Sequence, residues 1–152
     1  MTLVKSLDDE RYPELLDHVG WRLWRVAQLW KTDFDAKMIA MGHPWFGEAR
    51  AAVIAHLDRG GTRQALLAKR LGLSKQAVQQ FVDELERDGI VERRPDPDDS
   101  RAKIVTFTAR GRKALADANI AKRRIEAEFR RKLGRARFDQ LIASLRALDE
   151  GT

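Results

Sequence analysis

Between Ser74 and Gln80 the chain sets a hydroxyl, an ammonium group and three carboxamides, on Ser74, Lys75, Gln76, Gln79 and Gln80. A carboxamide donates and accepts at once. On a helix that fits the major groove, a glutamine can therefore bond bidentately to adenine, a contact worth about 1–3 kcal/mol of discrimination. A serine heading such a helix, with the first free amides behind it, can meet a phosphate. Any one of these side chains also suits an ordinary solvated helix face; their grouping at the start of one helix is what points to groove reading. Arg101 is the second candidate, beside Asp98 and Asp99 in a turn-forming stretch. An arginine there can enter a minor groove, drawn by its negative potential, or form a simple turn ion pair worth ~0–1 kcal/mol. Aspartates at such a tip repel DNA, so at least one is expected to orient the guanidinium.

Other chemistries find no constellation. Ser74 has no histidine near it in sequence, and His18, His43 and His56 lack metal-ligand spacing. Glu84 and Glu86 fall on the exposed side of a helix, and no glycine motif cradles a phosphate. The absence of cysteine excludes disulfides, thiolate metal sites and thiol-based redox sensing. Neither an enzyme, a metal nor a cofactor is expected. A chain of 152 residues with 43% hydrophobic side chains can build one folded unit, or a small lobe with an association surface. No apolar run approaches the ~20 residues of a membrane span, and MTLVKSLDDE is no signal peptide, so a cytoplasmic protein without membrane contact is expected. The net charge of +6 suits an anionic partner or merely solvated helix faces, and it is unevenly placed: residues 59–108 carry +2 and residues 109–137 carry +8.

The elements that must position these groups follow from periodicity. A long first helix opens at Tyr12-Pro13-Glu14 and runs to about Ala40, with Leu15, Val19, Leu23, Val26, Trp30 and Phe34 on one stripe. Trp21 and Trp24 fall on the opposite flank, so the helix is expected to be covered on two faces, one of them by a second chain. A second helix spans Phe46 to Leu57. Thr62 is expected to cap a third containing Leu66, Leu67, Ala68 and Leu71. Leu71-Gly72-Leu73-Ser74 is a tight break with Ser74 as the cap of a fourth helix, which buries Val78, Phe81, Val82 and Leu85 and ends at Gly89. Two short helices about a glycine turn form a helix-turn-helix. Strands at 90–94 and 103–107, joined by a turn over Pro95–Arg101, add a wing. Thr108 caps a fifth helix with Ala114, Ala118, Ala121, Ile125 and Phe129 on one side. After Gly134 a sixth presents Phe138, Leu141, Ile142, Leu145 and Leu148. The fold class is mainly α with a small β-hairpin wing.

Residues 66–111 resemble the DNA-binding lobe of MarR-type transcriptional regulators. The shared features are Leu67-Ala68, Gly72-Leu73-Ser74, the helix end Leu85-Glu86-Arg87-Asp88-Gly89 and the strand Val91-Glu92-Arg93. The wing signature follows at Asp96, Pro97, Asp99 and Arg101, and then Thr108-x-x-Gly111. The resemblance implies a homodimer built by the first, fifth and sixth helices, binding a pseudo-palindrome of double-stranded DNA. It makes Arg101 the minor-groove arginine and Asp99 its orienting partner. Gln79 and Gln80 depart from the Ser or Thr followed by Arg of many members, so base preference does not transfer. Three segments result: an N-terminal dimerisation helix (1–45), a winged helix-turn-helix lobe (46–108) and C-terminal dimerisation helices (109–152).

The resemblance also implies a small aromatic or anionic effector between stalk and lobe. Trp24, His43, Trp45, Phe46 and Arg50 could line its pocket; the alternative is that the tryptophans are core or dimer contacts. The basic runs Lys122-Arg123-Arg124 and Arg130-Arg131-Lys132 resemble a DNA patch, but family topology sets them in the stalk. There Asp8, Asp9, Glu10, Glu14 and Asp17 are expected to meet them. The function expected is a ligand-responsive, sequence-specific repressor. The alternatives are a winged-helix protein-interaction module and a non-specific architectural DNA binder.

Overall fold

The computed structural model describes residues 16–150. The first helix, α1, is Val19–Ala40. It begins later than the Pro13 signal suggests: the His18 side chain accepts from the Trp21 amide at 3.3 Å and the His18 backbone is extended, so the cap fixes the start at Val19. Tyr12, Pro13 and Glu14 lie outside the described residues.

The expected second helix is two pieces, a 3₁₀ turn at Pro44–Gly47 and α2 at Ala51–Ala55, with Glu48 in extended backbone between them. Packing explains the break. Trp45 and Phe46 are adjacent yet both buried, their rings stacked at 4.1 Å, an arrangement that neighbours ~100° apart on an α-helix do not readily reach.

The strand β1, Thr62–Arg63, leads into α3, Gln64–Leu71. Thr62 is not the cap of α3. Its hydroxyl accepts from the Asp58 amide at 2.9 Å and faces the Asp58 carboxylate at 3.1 Å, while its backbone pairs with Val105. Next come α4 (Lys75–Arg87), β2 (Val91–Asp96), β3 (Asp99–Phe107), α5 (Ala109–Leu133) and α6 (Arg135–Asp149). The wing is a three-stranded antiparallel sheet of order β1-β3-β2, one strand more than a hairpin. Its long strands also extend into the stretch expected as turn, leaving only Pro97 and Asp98 between them.

One continuous core joins the lobe to α1 and α5. Leu67, Val78, Val82, Leu85, Ile90, Val91 and Val105 fill the lobe; Phe34, Met38, Trp45 and Phe46 meet Ala114, Ala118, Ala121 and Ile125 beside it. Each fully buried aliphatic contributes about 1.5–3 kcal/mol relative to exposure. The junction is tight because Thr108 and Gly111 are where they are. Thr108 accepts from the Gly111 amide at 3.0 Å, its own amide donates to the Ile90 carbonyl at 3.1 Å, and its hydroxyl donates to the Gly89 carbonyl at 2.6 Å. A Cβ on Gly111 would lie 2.1 Å from that carbonyl oxygen.

Among the described residues, two apolar stripes are left uncovered. Val19, Leu23, Val26 and Leu29 of α1 are exposed, Val19 by 71%; only the C-terminal part of the expected stripe, at Trp30 and Phe34, is packed. In α6 Phe138 is buried, Leu141 and Ile142 are half-buried, and Leu145 and Leu148 are exposed. Among the described residues, no helix is long and apolar enough to cross a membrane.

Candidate nucleic-acid interface

The turn before α4 is set by two residues. Gly72 takes a left-handed conformation (φ 63°), at little cost to glycine, while the Leu73 amide returns to the Ala68 carbonyl at 3.1 Å. Ser74 then caps α4, accepting from the Ala77 amide at 3.1 Å. Val78, Val82 and Leu85 anchor the inner face, so Ser74, Lys75, Gln76, Gln79 and Gln80 share the exposed one. Gln76, Gln79 and Gln80 line a shallow concavity together with Ser74, Asp83, Glu84 and Arg87.

Gln79 is not a free side chain. Its Oε1 accepts from Gln64 Nε2 at 2.6 Å, and its Nε2 donates to Asp83 at 3.0 Å. Arg93, on β2, donates from Nε to Gln64 Oε1 at 2.9 Å and from Nη2 to the same Asp83 oxygen at 2.7 Å. Four side chains from α3, α4 and β2 thus close a ring. Glu86 fastens Arg93 from outside, accepting from its backbone amide at 3.0 Å and its Nη1 at 2.7 Å. Gln80 has a simpler partner one turn on, Glu84 at 3.2 Å.

The wing tip disposes of its acids differently from expectation. The β2–β3 register shifts between Pro95 and Asp96: Pro95 faces Lys103 and Asp96 faces Asp99, so Ser100, Arg101 and Ala102 have no partner across the ladder. Arg101 is therefore carried on an outward-looped, exposed segment. Asp99 does not hold its guanidinium; it accepts from the Arg101 backbone amide at 3.0 Å and so shapes the loop. Asp96 is turned inward, 5% exposed, where it pairs with Arg63 at 2.5 Å and accepts from the Asp98 amide at 2.9 Å. Between wing and α4 runs a cleft of about 630 Å³ whose charged lining is Arg63, Lys75, Arg93, Arg101 and Lys103 against Asp99 alone. Arg63 and Arg93 are paired with Asp96 and with Asp83 and Glu86, so the basic character of the cleft rests on Lys75, Arg101 and Lys103.

The residues assigned to an effector pocket are scattered. Trp24 is exposed and stacked on Trp21 at 5.1 Å. It sits fourteen residues before Met38 on α1, roughly 21 Å along the helix at ~1.5 Å per residue. Trp45 and Phe46 are core. Arg50 is half-buried and bonded to Glu48 and Asp88, each at 2.6 Å; burial opposes its charge, but these two carboxylates outweigh it and raise its pKa. His43 is buried, its Nε2 2.8 Å from Asp117 on α5 and its Nδ1 without a partner among the described residues. That contact first, and Lys113 second, hold the Asp117 carboxyl below the usual carboxylate range.

The basic runs of α5 are exposed. Asp8, Asp9, Glu10 and Glu14, expected to meet them, lie outside the described residues, and Asp17, just before α1, pairs instead with Arg22 of that helix. The α1–α5 ion pair that forms has the opposite polarity, Lys37 to Glu128 at 3.3 Å. Among the described residues no cluster of His, Asp or Glu could hold a metal ion.

A glycine-turned, serine-capped helix pair with a strand-built wing across a basic cleft defines a winged helix-turn-helix, a fold made to lay one helix in a DNA groove. Residues 48–102 match the MarR family model. Over nearly its whole length the chain also shares its fold with solved structures. RV1404 from Mycobacterium tuberculosis aligns with a TM-score of 0.75 at 21% identity, covering 91% of this chain and 95% of that one. The apo form of MarR from E. coli aligns at 0.71 and 19%, covering 89% and 98%. The transcriptional repressor CouR, bound to a 23-mer DNA duplex, aligns at 0.66 and 26%, covering 90% and 99%. No curated protein matches the sequence. Over residues 48–102 the chain is thus similar to the MarR family, and as a whole it shares the winged-helix fold of these structures.

Proposed function

We propose that the protein is a cytoplasmic homodimer that binds a pseudo-palindromic operator in double-stranded DNA and represses from it, with α4 of each subunit in the major groove and Arg101 at the adjacent minor groove. The observation that carries this reading is the polar face of α4, Ser74 to Gln80, continuous with the basic cleft that ends at Arg101. The CouR–DNA complex, on a similar fold at 26% identity, supports it. So do the bare apolar stripes of α1 and α6, which a second copy would cover. In this reading residues 46–108 form the reading lobe, and residues 1–45 and 109–152 supply the association helices.

Control by a ligand is part of the proposal. CouR from Rhodococcus jostii has been solved with p-coumaroyl-CoA, on a fold that aligns here with a TM-score of 0.60 at 22% identity. Of the five residues assigned to an effector, His43, Trp45 and Phe46 remain together at the junction of stalk and lobe. An aromatic or anionic effector there would act only by binding two conformations unequally.

Selection of bound sites from random duplex DNA is the test. A two-fold operator with half-sites near one helical turn apart, ~34–36 Å, is the expected result. Steeply salt-dependent binding with no preferred site would indicate an architectural binder, and weak binding of any duplex a protein-interaction module.

A further inference from the structure

The ring Arg93–Gln64–Gln79–Asp83 has a direction that its chemistry imposes. A guanidinium can only donate and a carboxylate can only accept, whereas a carboxamide can turn over and exchange its oxygen with its nitrogen. Arg93 Nε meets Gln64 at 2.9 Å, so Gln64 must turn its oxygen to Arg93. Its nitrogen is then the atom that faces Gln79 at 2.6 Å, and Gln79 must answer with its oxygen. Asp83, already accepting from Arg93 at 2.7 Å, takes the Gln79 nitrogen at 3.0 Å. Both ends of the Gln79 amide are fixed by groups that cannot reverse. One N–H and one oxygen lone pair remain unused, on a side chain that is exposed on the outer face of α4.

On the reading that α4 enters the major groove, we infer that Gln64 is a positioning residue for base recognition. It holds the carboxamide of Gln79 in a single orientation, so that its free donor and acceptor are offered in one order. Adenine presents a donor and an acceptor side by side in that groove, and a carboxamide with a fixed order can bond to both. An amide free to turn over would present the reverse order part of the time and discriminate less. Gln64 lies at the start of α3 and lines the cleft rather than the outer face of α4. It acts through Gln79.

Two substitutions separate this role from a merely structural one. Gln64→Glu keeps the shape and the bond from Arg93, but turns an acceptor toward the Gln79 oxygen; no orientation of Gln79 then satisfies both the new carboxylate and Asp83. Gln64→Met removes the tether without adding charge. Bound sites would be selected from random duplex DNA with the full-length wild type, Gln79→Ala and both Gln64 variants, alongside their thermal midpoints.

Gln79→Ala identifies the position that Gln79 reads, where a preference of roughly 5- to 150-fold corresponds to one good bidentate contact. Both Gln64 variants are expected to lose at least about fivefold of preference at that position, with other positions and the midpoint unchanged. Unchanged preference there in the Gln64 variants would overturn the inference. So would a loss spread evenly over the whole site, or a Gln79→Ala variant that reads DNA as the wild type does. A wild type that selects no site would overturn the DNA-reading proposal, and this inference with it.

Discussion

Replacing Gly111 by alanine tests how closely α5 is bound to the reading lobe. The added Cβ would stand 2.1 Å from the Ile90 carbonyl oxygen, 3.1 Å from its carbon and 3.2 Å from the Phe107 ring, against a comfortable separation of about 3.5 Å or more. The oxygen belongs to backbone and cannot swing aside as a side chain would. It also receives the Thr108 amide at 3.1 Å, so moving it loosens that bond beside the cap. Overpacking of this kind costs about 1–3 kcal/mol, and a weakened helix cap about 1 kcal/mol. The helix preference of alanine over glycine returns up to about 1 kcal/mol. The expected net loss is about 1–3 kcal/mol, or roughly 2–10 °C in Tm for a chain of this size. Urea and thermal unfolding followed by circular dichroism, at one protein concentration, would measure it. Gly47→Ala serves as the control, because nothing lies within 4 Å of its built Cβ. A Gly111→Ala protein as stable as the wild type would refute the claim that this contact sets the α5 junction.

Three further outcomes are expected. Arg101→Ala removes an exposed cation held on the unpaired part of the wing, so the slope of log affinity against log salt should flatten by about 0.9; an unchanged slope means that the wing points away from DNA. Val26→Glu, on the bare stripe of α1, should halve the mass seen by light scattering, and an unaltered mass would remove α1 from the association surface. The Asp117 carboxyl, held low first by His43 and then by Lys113, stabilises the fold fully above its unfolded value of about 3.9 and loses that contribution as pH falls through its lower folded value. Asp117→Asn should therefore be less stable than wild type near neutral pH, with the gap closing in acid below about pH 4. A gap independent of pH would show that the charge is immaterial.

What could be read from the sequence was what depends on near neighbours. Ser74 and Thr108 were legible as caps because each bonds an amide three residues on. Gly72 and Gly134 were legible as breaks. Thr62 looked like the same signal and was not, because Asp58 takes its hydroxyl, a competitor that no capping pattern reveals. The second helix failed for a tertiary reason: Trp45 and Phe46 are both drawn into the core and divide it. At the site, the outward face of α4 was legible, but the state of Gln79 was not. Its partners come from α3 and β2, and only the Asp83 contact has helix-neighbour spacing. The His43–Asp117 pair spans 74 residues and left no local trace. Asp99 accepts from the Arg101 backbone amide, a local choice of partner that follows the register shift at Pro95 and that no residue pattern displays.

The absence of slack between β3 and α5 has a mechanical consequence. Phe107 ends the strand and Ala109 begins the helix, with Thr108 alone between them, so the lobe rides on α5 as a head on a handle. With 25 residues at ~1.5 Å each, that handle is roughly 37 Å long. A tilt of about 5° at its far end would carry the lobe by about 3 Å, close to the ~3.4 Å rise of one base pair. In a two-fold assembly a rotation too small to disturb the packing between handles would move the two heads out of step with the turns of the double helix. On the proposed reading, a bound DNA site would then be released by a change of span, with the reading surfaces themselves unaltered.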